Sequence, residues 1–236
     1  MTIGPVIAVA PAFNEERKIG EVVRKLKACA AVDRTIVVDD GSTDGTAAEA
    51  EAAGAEVLRQ PKNAGVGAAL RAGFKAARAR GAAVIVVLGG DDQDNPDEIP
   101  RLLGPLKAGF DFVQGSRWTV GGKTENIPLF RRVTTRLYSL LFRWCTGFPS
   151  TDGTNGFRAF RANILDRIDL EKPWLNAYEL EPFLFYHAAK FFKTAEVPVT
   201  KRYPAKGGES YTKMVPFKSW WSILRPLILL KLGLKK

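Results

Sequence analysis

Residues 83–100 read AVIVVLGGDDQDNPDEIP. An unbroken apolar run from Ala83 to Leu88 is followed by two glycines, then by an acidic loop that meets Pro96 where a helix should begin. A short apolar run bounded by turn residues predicts a strand buried on both faces. Proline suits the first turn of a helix because its missing N–H would have had no partner there. The stretch therefore predicts strand, polar loop, helix. The same order recurs on either side. Apolar runs at residues 6–10, 35–39, 56–59 and 112–115 predict further strands, and residues 15–30, 44–53, 66–80 and 96–107 carry helical patterns between them. Alternation of this kind predicts an α/β fold, a mostly parallel sheet with helices on both faces. Ligands of such sheets gather outside the carboxyl ends of the strands. Polar clusters at residues 11–15, 39–45 and 89–97 each follow a predicted strand directly.

After Gly115 the pattern changes. Residues 128–146 predict a basic helix, 151–160 a turn into a strand, 177–191 a helix, 196–203 a strand, and 215–232 a final helix interrupted near Pro226. The 236 residues contain no internal repeat or convincing linker, and a hydrophobic share of 46% suits a folded chain. Two cysteines and one histidine exclude a disulfide framework and a His-rich metal centre, and a lone histidine disfavours a Ser-His-Asp triad. No apolar run reaches 18 residues, and the opening MTIGPVIAVAPAFNEE lacks the basic start of a signal peptide, so a cytoplasmic protein is expected. The net charge of +10 is unevenly placed: residues 116–143 carry +5, residues 190–236 carry +9, and the remainder −4. An acidic-to-neutral front joined to a basic back suggests two different ligands, or one held from two sides.

Asp91, Asp92 and Asp94 lie close together with Gln93 among them, and crowded carboxylates repel unless they share a cation. An oxygen-only set of this kind suits a hard ion such as Mg²⁺ or Mn²⁺, itself bound to substrate phosphates. Asp97 and Glu98 read instead as first-turn helix acids. Asp39 and Asp40 end a predicted strand and could bind a base edge or a ribose hydroxyl, while Ser42, Thr43 or Asp44 caps the helix that follows. There is no Walker loop, and no G-x-G-x-x-G follows the first strand, which disfavours a dinucleotide oxidoreductase. His187 reads as a packing residue. Glu179 and Glu181 either line a cleft or are helix-start acids.

Taken in order, these segments resemble the inverting family 2 glycosyltransferases with the GT-A fold, in the branch containing dolichol-phosphate mannose synthase and bacterial polyprenyl-phosphate glycosyltransferases. The residues that carry the resemblance are Pro11-Ala12-Phe13-Asn14-Glu15, the run VDDGSTDGT from Val38 to Thr46, Asn63-Ala64-Gly65-Val66-Gly67, Asp91 through Pro96, Gly115-Ser116-Arg117, Arg131-Arg132 and DGTNGFR from Asp152 to Arg158. The resemblance implies that Pro11, Ala12, Asn14, Glu15 and Asp39 hold the nucleotide, with Asp40 supporting the turn. It implies Asp91 as main metal ligand with Gln93 assisting, and Arg117, Arg131, Thr135 and Arg202 as contacts to acceptor phosphate. Two positions depart from the pattern. Gly89 stands where the metal motif usually opens with an acid, so that Asp92 or substrate phosphates would supply the missing oxygen. Thr154-Asn155 stands where a Thr-Ser pair is more usual.

The implied chemistry is transfer of a sugar from a nucleotide donor to a polyprenyl phosphate, metal-assisted and with inversion. A phosphate acceptor is already ionised, whereas a saccharide hydroxyl would need a base, for which Asp152 is the candidate. Transfer to such a hydroxyl is the alternative activity. A silent nucleotide-sugar-binding protein is the alternative outside catalysis. Residues 1–214 are expected to form the catalytic domain and 215–236 an amphipathic segment. With Trp220, Trp221 and interspersed lysines, that segment would lie on the cytoplasmic face of the membrane or dock on the domain's own core. A separate membrane protein could supply a further anchor. Anionic lipid explains the basic, tryptophan-bearing surface better than nucleic acid does.

Overall fold

A computed structural model describes residues 3–204, 214 and 217–235. The first half alternates as the apolar runs require: β1 (Val6–Ala12), α1 (Glu16–Ala28), β2 (Arg34–Asp39), α2 (Thr46–Ala52), β3 (Glu56–Arg59), α3 (Val66–Ala79) and β4 (Val84–Val87). A 3-10 turn (Pro96–Glu98) leads into α4 (Ile99–Lys107), followed by β5 (Phe112–Ser116) and the short β6 (Lys123–Glu125). The second half adds α5 (Leu129–Thr146), β7 (Arg158–Arg161), α6 (Leu180–Phe191), β8 (Thr194–Pro198), β9 (Thr200–Arg202) and α7 (Lys218–Lys231).

The main sheet has the order β3-β2-β1-β4-β7-β5-β8. β3, β2, β1 and β4 pair in parallel, β7 runs antiparallel between β4 and β5, and β8 is parallel to β5. Alternate residues of each central strand enter different cores. Ile7, Val9, Ile85 and Val87 face the side covered by α3, α5 and α6, and Val6, Ala8, Val84 and Val86 face the side of α1 and α4. This double burial is why β4 is apolar at every position.

The expected strand over residues 196–203 is two strands. β8 ends at Pro198, which has no N–H to extend the ladder. Val199 is fully buried and donates to the Ser116 carbonyl, and the chain then leaves for a separate two-stranded sheet of β6 and β9. The final helix is also not interrupted at Pro226. α7 runs through it, because the one lost backbone bond is outweighed by packing on α5 and α6. Leu227 is 0% exposed, and the Tyr138 hydroxyl donates to the Ile223 carbonyl at 3.4 Å. α7 therefore shares a hydrophobic core with α5 and α6. Among the described residues no helix is long and apolar enough to cross a membrane.

Candidate active site

The loops after β1, β2 and β4 meet above the carboxyl edge of the sheet, where a cavity of about 870 Å³ opens. Ligand sites are commonly ~300–1,000 Å³. Pro11, Ala12 and Glu15 line it from β1. Asn14 has φ +51 and binds the neighbouring loop both ways: its N–H donates to Ser42 Oγ at 2.9 Å, and its Oδ1 accepts from the Thr43 N–H at 2.9 Å. Asp39 caps the same turn, accepting from the Ser42 N–H at 3.0 Å. Asp40 accepts from the N–H groups of Ala64 and Gly65, both at 2.9 Å, which tethers the loop entering α3. Burial raises its carboxyl above the ordinary aspartate value, aided by Asp39, although those two bonds pull it back. Gly41 has φ +72, and a Cβ there would lie 2.4 Å from the Lys62 backbone, so glycine is required where these loops touch.

In the acidic loop, Asp91 and Gln93 both line the cavity, and the Gln93 N–H donates to Asp91 Oδ1 at 3.3 Å. Burial pushes the Asp91 carboxyl up, opposed by the Lys201 ammonium and reinforced by Asp94 and Glu15. A Cβ on Gly89 would meet Asp91 Oδ1 at 2.7 Å, so the Asp91 carboxylate occupies the space into which a side chain at position 89 would grow. Asp92 does not make up for the glycine. With φ +56 it turns away and pairs with Lys25 of α1 at 2.8 Å. Asp94 is 4% exposed and accepts from the Gly89 N–H at 3.1 Å and from Lys201 Nζ at 2.8 Å. Glu98 is no simple helix-start acid either: it is buried and accepts from the Thr200 N–H at 2.7 Å, which clamps β9 to this loop.

Among the described residues there is no preformed cluster of three His, Cys, Asp or Glu side chains able to hold a metal. The donors present fit a hard divalent ion shared with a substrate. Asp91 is a cavity-facing carboxylate whose charge is disfavoured by burial, Gln93 adds an amide beside it, and a diphosphate would complete the oxygen shell.

The basic residues divide. Arg131 of α5 lines the cavity, its guanidinium 5.7 Å from the centre of the Tyr203 ring. Arg117 and Asp152 do not reach it. They form a buried bidentate pair, with Nε–Oδ2 and Nη2–Oδ1 both 2.6 Å, and Arg117 also donates to the Tyr203 hydroxyl and to Thr154 Oγ1. Burial alone would lower the Arg117 pKa, but Asp152 holds it above the ordinary value. Asp152 is 0% exposed with both oxygens committed to arginine, so in this arrangement it braces Arg117 and offers no free oxygen to a substrate. Thr135 is buried, its hydroxyl donating to the Arg131 carbonyl at 2.8 Å within α5. Arg202 is exposed, pairs with Glu125 at 3.3 Å, and donates its N–H to the Gln93 carbonyl at 2.9 Å. Its backbone therefore braces the acidic loop at Gln93.

Sequence reasoning missed Lys201, Ser222 and Arg225, all of which line the cavity. No local signal distinguishes them, since each arrives on an element whose position is set by packing. His187 packs against the Phe183 ring at 4.2 Å and bonds that residue's carbonyl.

Comparison with known proteins bears on the fold and the family. The chain is 33% identical over 201 residues to the polyprenol monophosphomannose synthase of Mycolicibacterium smegmatis, covering 82% of this chain and 76% of that one. It is 34% identical over 201 residues to the undecaprenyl-phosphate mannosyltransferase of Micrococcus luteus, covering 83% and 82%. The fold matches the crystal structure of glucosyl-3-phosphoglycerate synthase from Mycobacterium tuberculosis, solved with Mn²⁺, UDP and glucosyl-3-phosphoglycerate. That match has a TM-score of 0.71 at 22% identity and covers 100% of this chain and 86% of that one. The model of glycosyl transferase family 2 matches residues 7–169, and the chain belongs to that family.

Proposed function

We propose that the protein transfers a hexosyl group from a nucleoside-diphosphate sugar to the phosphate of a polyprenyl phosphate, with inversion at the anomeric carbon. The observation that carries this reading is that α5 serves two environments. Its Arg131 lines the cavity that also holds Asp91, while its outer face exposes Leu129, Phe130, Val133, Leu137, Leu140 and Trp144 at 74, 55, 48, 58, 57 and 68%. The exposed arginines Arg132, Arg136 and Arg143 lie along the same helix. Solvent-facing helices are normally polar, so an apolar stripe among arginines fits the surface of an anionic bilayer. Trp220 and Trp221 of α7 extend it, the Trp220 ring lying 5.2 Å from that of Phe130. An acceptor with an anionic head and an apolar tail would present its phosphate to Arg131 from there. The names of the mannosyl-transferring relatives support the same acceptor class.

In the reaction an acceptor phosphate oxygen attacks the anomeric carbon from the face opposite the diphosphate. The bond from that carbon to the diphosphate oxygen breaks, and the nucleoside diphosphate leaves with the electron pair. Asp91 and Gln93 would hold Mg²⁺ or Mn²⁺, which supplies Lewis-acid stabilisation of the leaving charge. Arg131 orients the acceptor phosphate. The β1 and β2 loops, braced through Asn14, Asp39 and Asp40, shape the nucleotide end. No base is required, because the acceptor oxygen is already ionised, and the commitment of Asp152 to Arg117 favours this acceptor over a hydroxyl. The protein would work peripherally on the cytoplasmic face of the membrane, with or without a separate anchoring protein. The test is a panel of UDP- and GDP-sugars incubated with undecaprenyl phosphate, undecaprenol or a saccharide, with Mg²⁺, Mn²⁺ or EDTA, and products identified by mass. Product with the saccharide or undecaprenol and none with the phosphate would overturn the acceptor.

A further inference from the structure

Arg131 reaches the cavity on a long side chain from the first turn of α5. Its guanidinium carbon lies 5.7 Å from the centre of the Tyr203 ring, and its Nη2 donates to Met214 Sδ at 3.6 Å. A cation at that distance over a tyrosine face is attracted to it. Tyr203 directly follows β9 and is 4% exposed. Its N–H donates to the Glu125 carbonyl at 3.0 Å, its own carbonyl accepts from Asn126 Nδ2 at 3.2 Å, and its hydroxyl accepts from Arg117 Nη1 at 2.6 Å. The ring under Arg131 is thus tied at both ends.

The ties continue inward. Arg117 is fixed by its bidentate pair with Asp152. The Asp152 loop is held by Glu196 of β8, whose carboxylate accepts from Ser150 Oγ at 2.6 Å, the Thr151 N–H at 2.8 Å, Thr151 Oγ1 at 2.7 Å and the Asp152 N–H at 3.3 Å. A buried ion pair often adds little stability over apolar packing. Here the Arg117–Asp152 pair sets the place of one hydroxyl, and with it the plane on which Arg131 lies. A loose arginine loses much rotamer freedom when it grips a phosphate. A guanidinium already laid on an anchored ring has lost part of that freedom beforehand. Stacking uses its flat face and leaves hydrogen bonding to its rim.

We propose that Tyr203 is the positioning residue of Arg131: its ring, anchored through Arg117, holds the guanidinium where an acceptor phosphate is met. The inference rests on the reading of Arg131 as the acceptor contact. Farnesyl phosphate, a short polyprenyl phosphate, is titrated into the full chain by calorimetry with Mn²⁺ and whichever of UDP or GDP binds. Farnesol and the nucleotide itself serve as control ligands. The proteins are wild type, Tyr203→Leu, Arg131→Ala and the double variant. Arg131→Ala should lose about ten-fold or more in affinity for farnesyl phosphate, the scale of a charge-assisted hydrogen bond. Tyr203→Leu should lose about three-fold or more, as a cation–π contact implies, with nucleotide affinity kept within about two-fold. In the double variant the Tyr203 loss should vanish, because a residue that acts through another is not additive with it. Wild-type affinity in Tyr203→Leu, an equal loss of nucleotide and farnesyl phosphate, or the same loss with and without Arg131 would overturn the proposal and leave the acceptor reading standing. If wild type does not bind farnesyl phosphate, or Arg131→Ala binds it fully, the acceptor reading falls and this inference with it. Should Tyr203→Leu fail to fold, phenylalanine and pentafluorophenylalanine at position 203 decide, since they share a shape and differ in the charge of the ring face. The fluorinated ring should leave farnesyl phosphate bound about three-fold or more weakly, and equal affinities overturn the proposal.

Discussion

Replacing Lys201 by methionine keeps most of the side-chain volume and removes a cation from the floor of the cavity. Its Nζ lies 2.8 Å from Asp94 Oδ1, and the two side chains are 12% and 1% exposed. Burial would lower the ammonium pKa, but Asp94 and then Asp91 hold it above the ordinary lysine value. Without the ammonium, Asp94 is a buried carboxylate supported mainly by the Gly89 N–H at 3.1 Å. Breaking a buried pair from one side costs about 3–5 kcal/mol, most of it the stranded charge. At about 2–4 °C per kcal/mol for a domain of this size, Tm should fall by roughly 6–20 °C. Lys201→Met combined with Asp94→Asn removes both charges and should recover more than half of that loss. The sign with pH follows from the raised pKa: the stabilisation is complete below the ordinary lysine value and is lost as pH rises through the higher folded value. The deficit of Lys201→Met against wild type should therefore be constant near neutrality and shrink above about pH 10.5. Circular-dichroism melts of the four proteins from pH 6 to 11 provide the measurement. A loss under ~1 kcal/mol in the single variant, or a double variant as unstable as the sum of the singles, would refute the argument.

With Asp91 as the proposed metal ligand, Asp91→Asn should lower Mn²⁺- or Mg²⁺-dependent turnover by at least ~100-fold, since a catalytic ion supplies several kcal/mol; near-normal kcat would refute that assignment. Replacing Leu137 and Leu140 with glutamate puts charges on the exposed stripe of α5, so sedimentation with anionic liposomes should drop while melting temperature and nucleotide affinity are retained. Leu227→Ala empties a fully buried position between α7 and the core and should cost about 2–5 kcal/mol in chemical denaturation, whereas a loosely attached anchor helix would register almost nothing.

The division between what the residues disclose and what folding adds runs along physical lines. Apolar runs such as VIVV in β4 report double burial directly, since each side chain must satisfy one of two cores, and the strand ends place the loops of Pro11, Asp39 and Asp91 on one edge. Those are short-range consequences of pattern. Long-range pairing has no such local mark. Arg117 and Asp152 are 35 positions apart, and only the fold brings them together as a buried pair. Lys201 meets Asp94 across 107 positions and Arg225 meets Glu179 across 46, both brought there by strands and helices whose placement is set by packing. Gly89, read as a missing acid, proves to be the space that the Asp91 carboxylate fills. The composition of the last helix does not say whether its apolar residues meet lipid or protein. Burial of Leu227 against α5 and α6 decided it, because the same apolar side chains could satisfy either a lipid surface or the protein's own core.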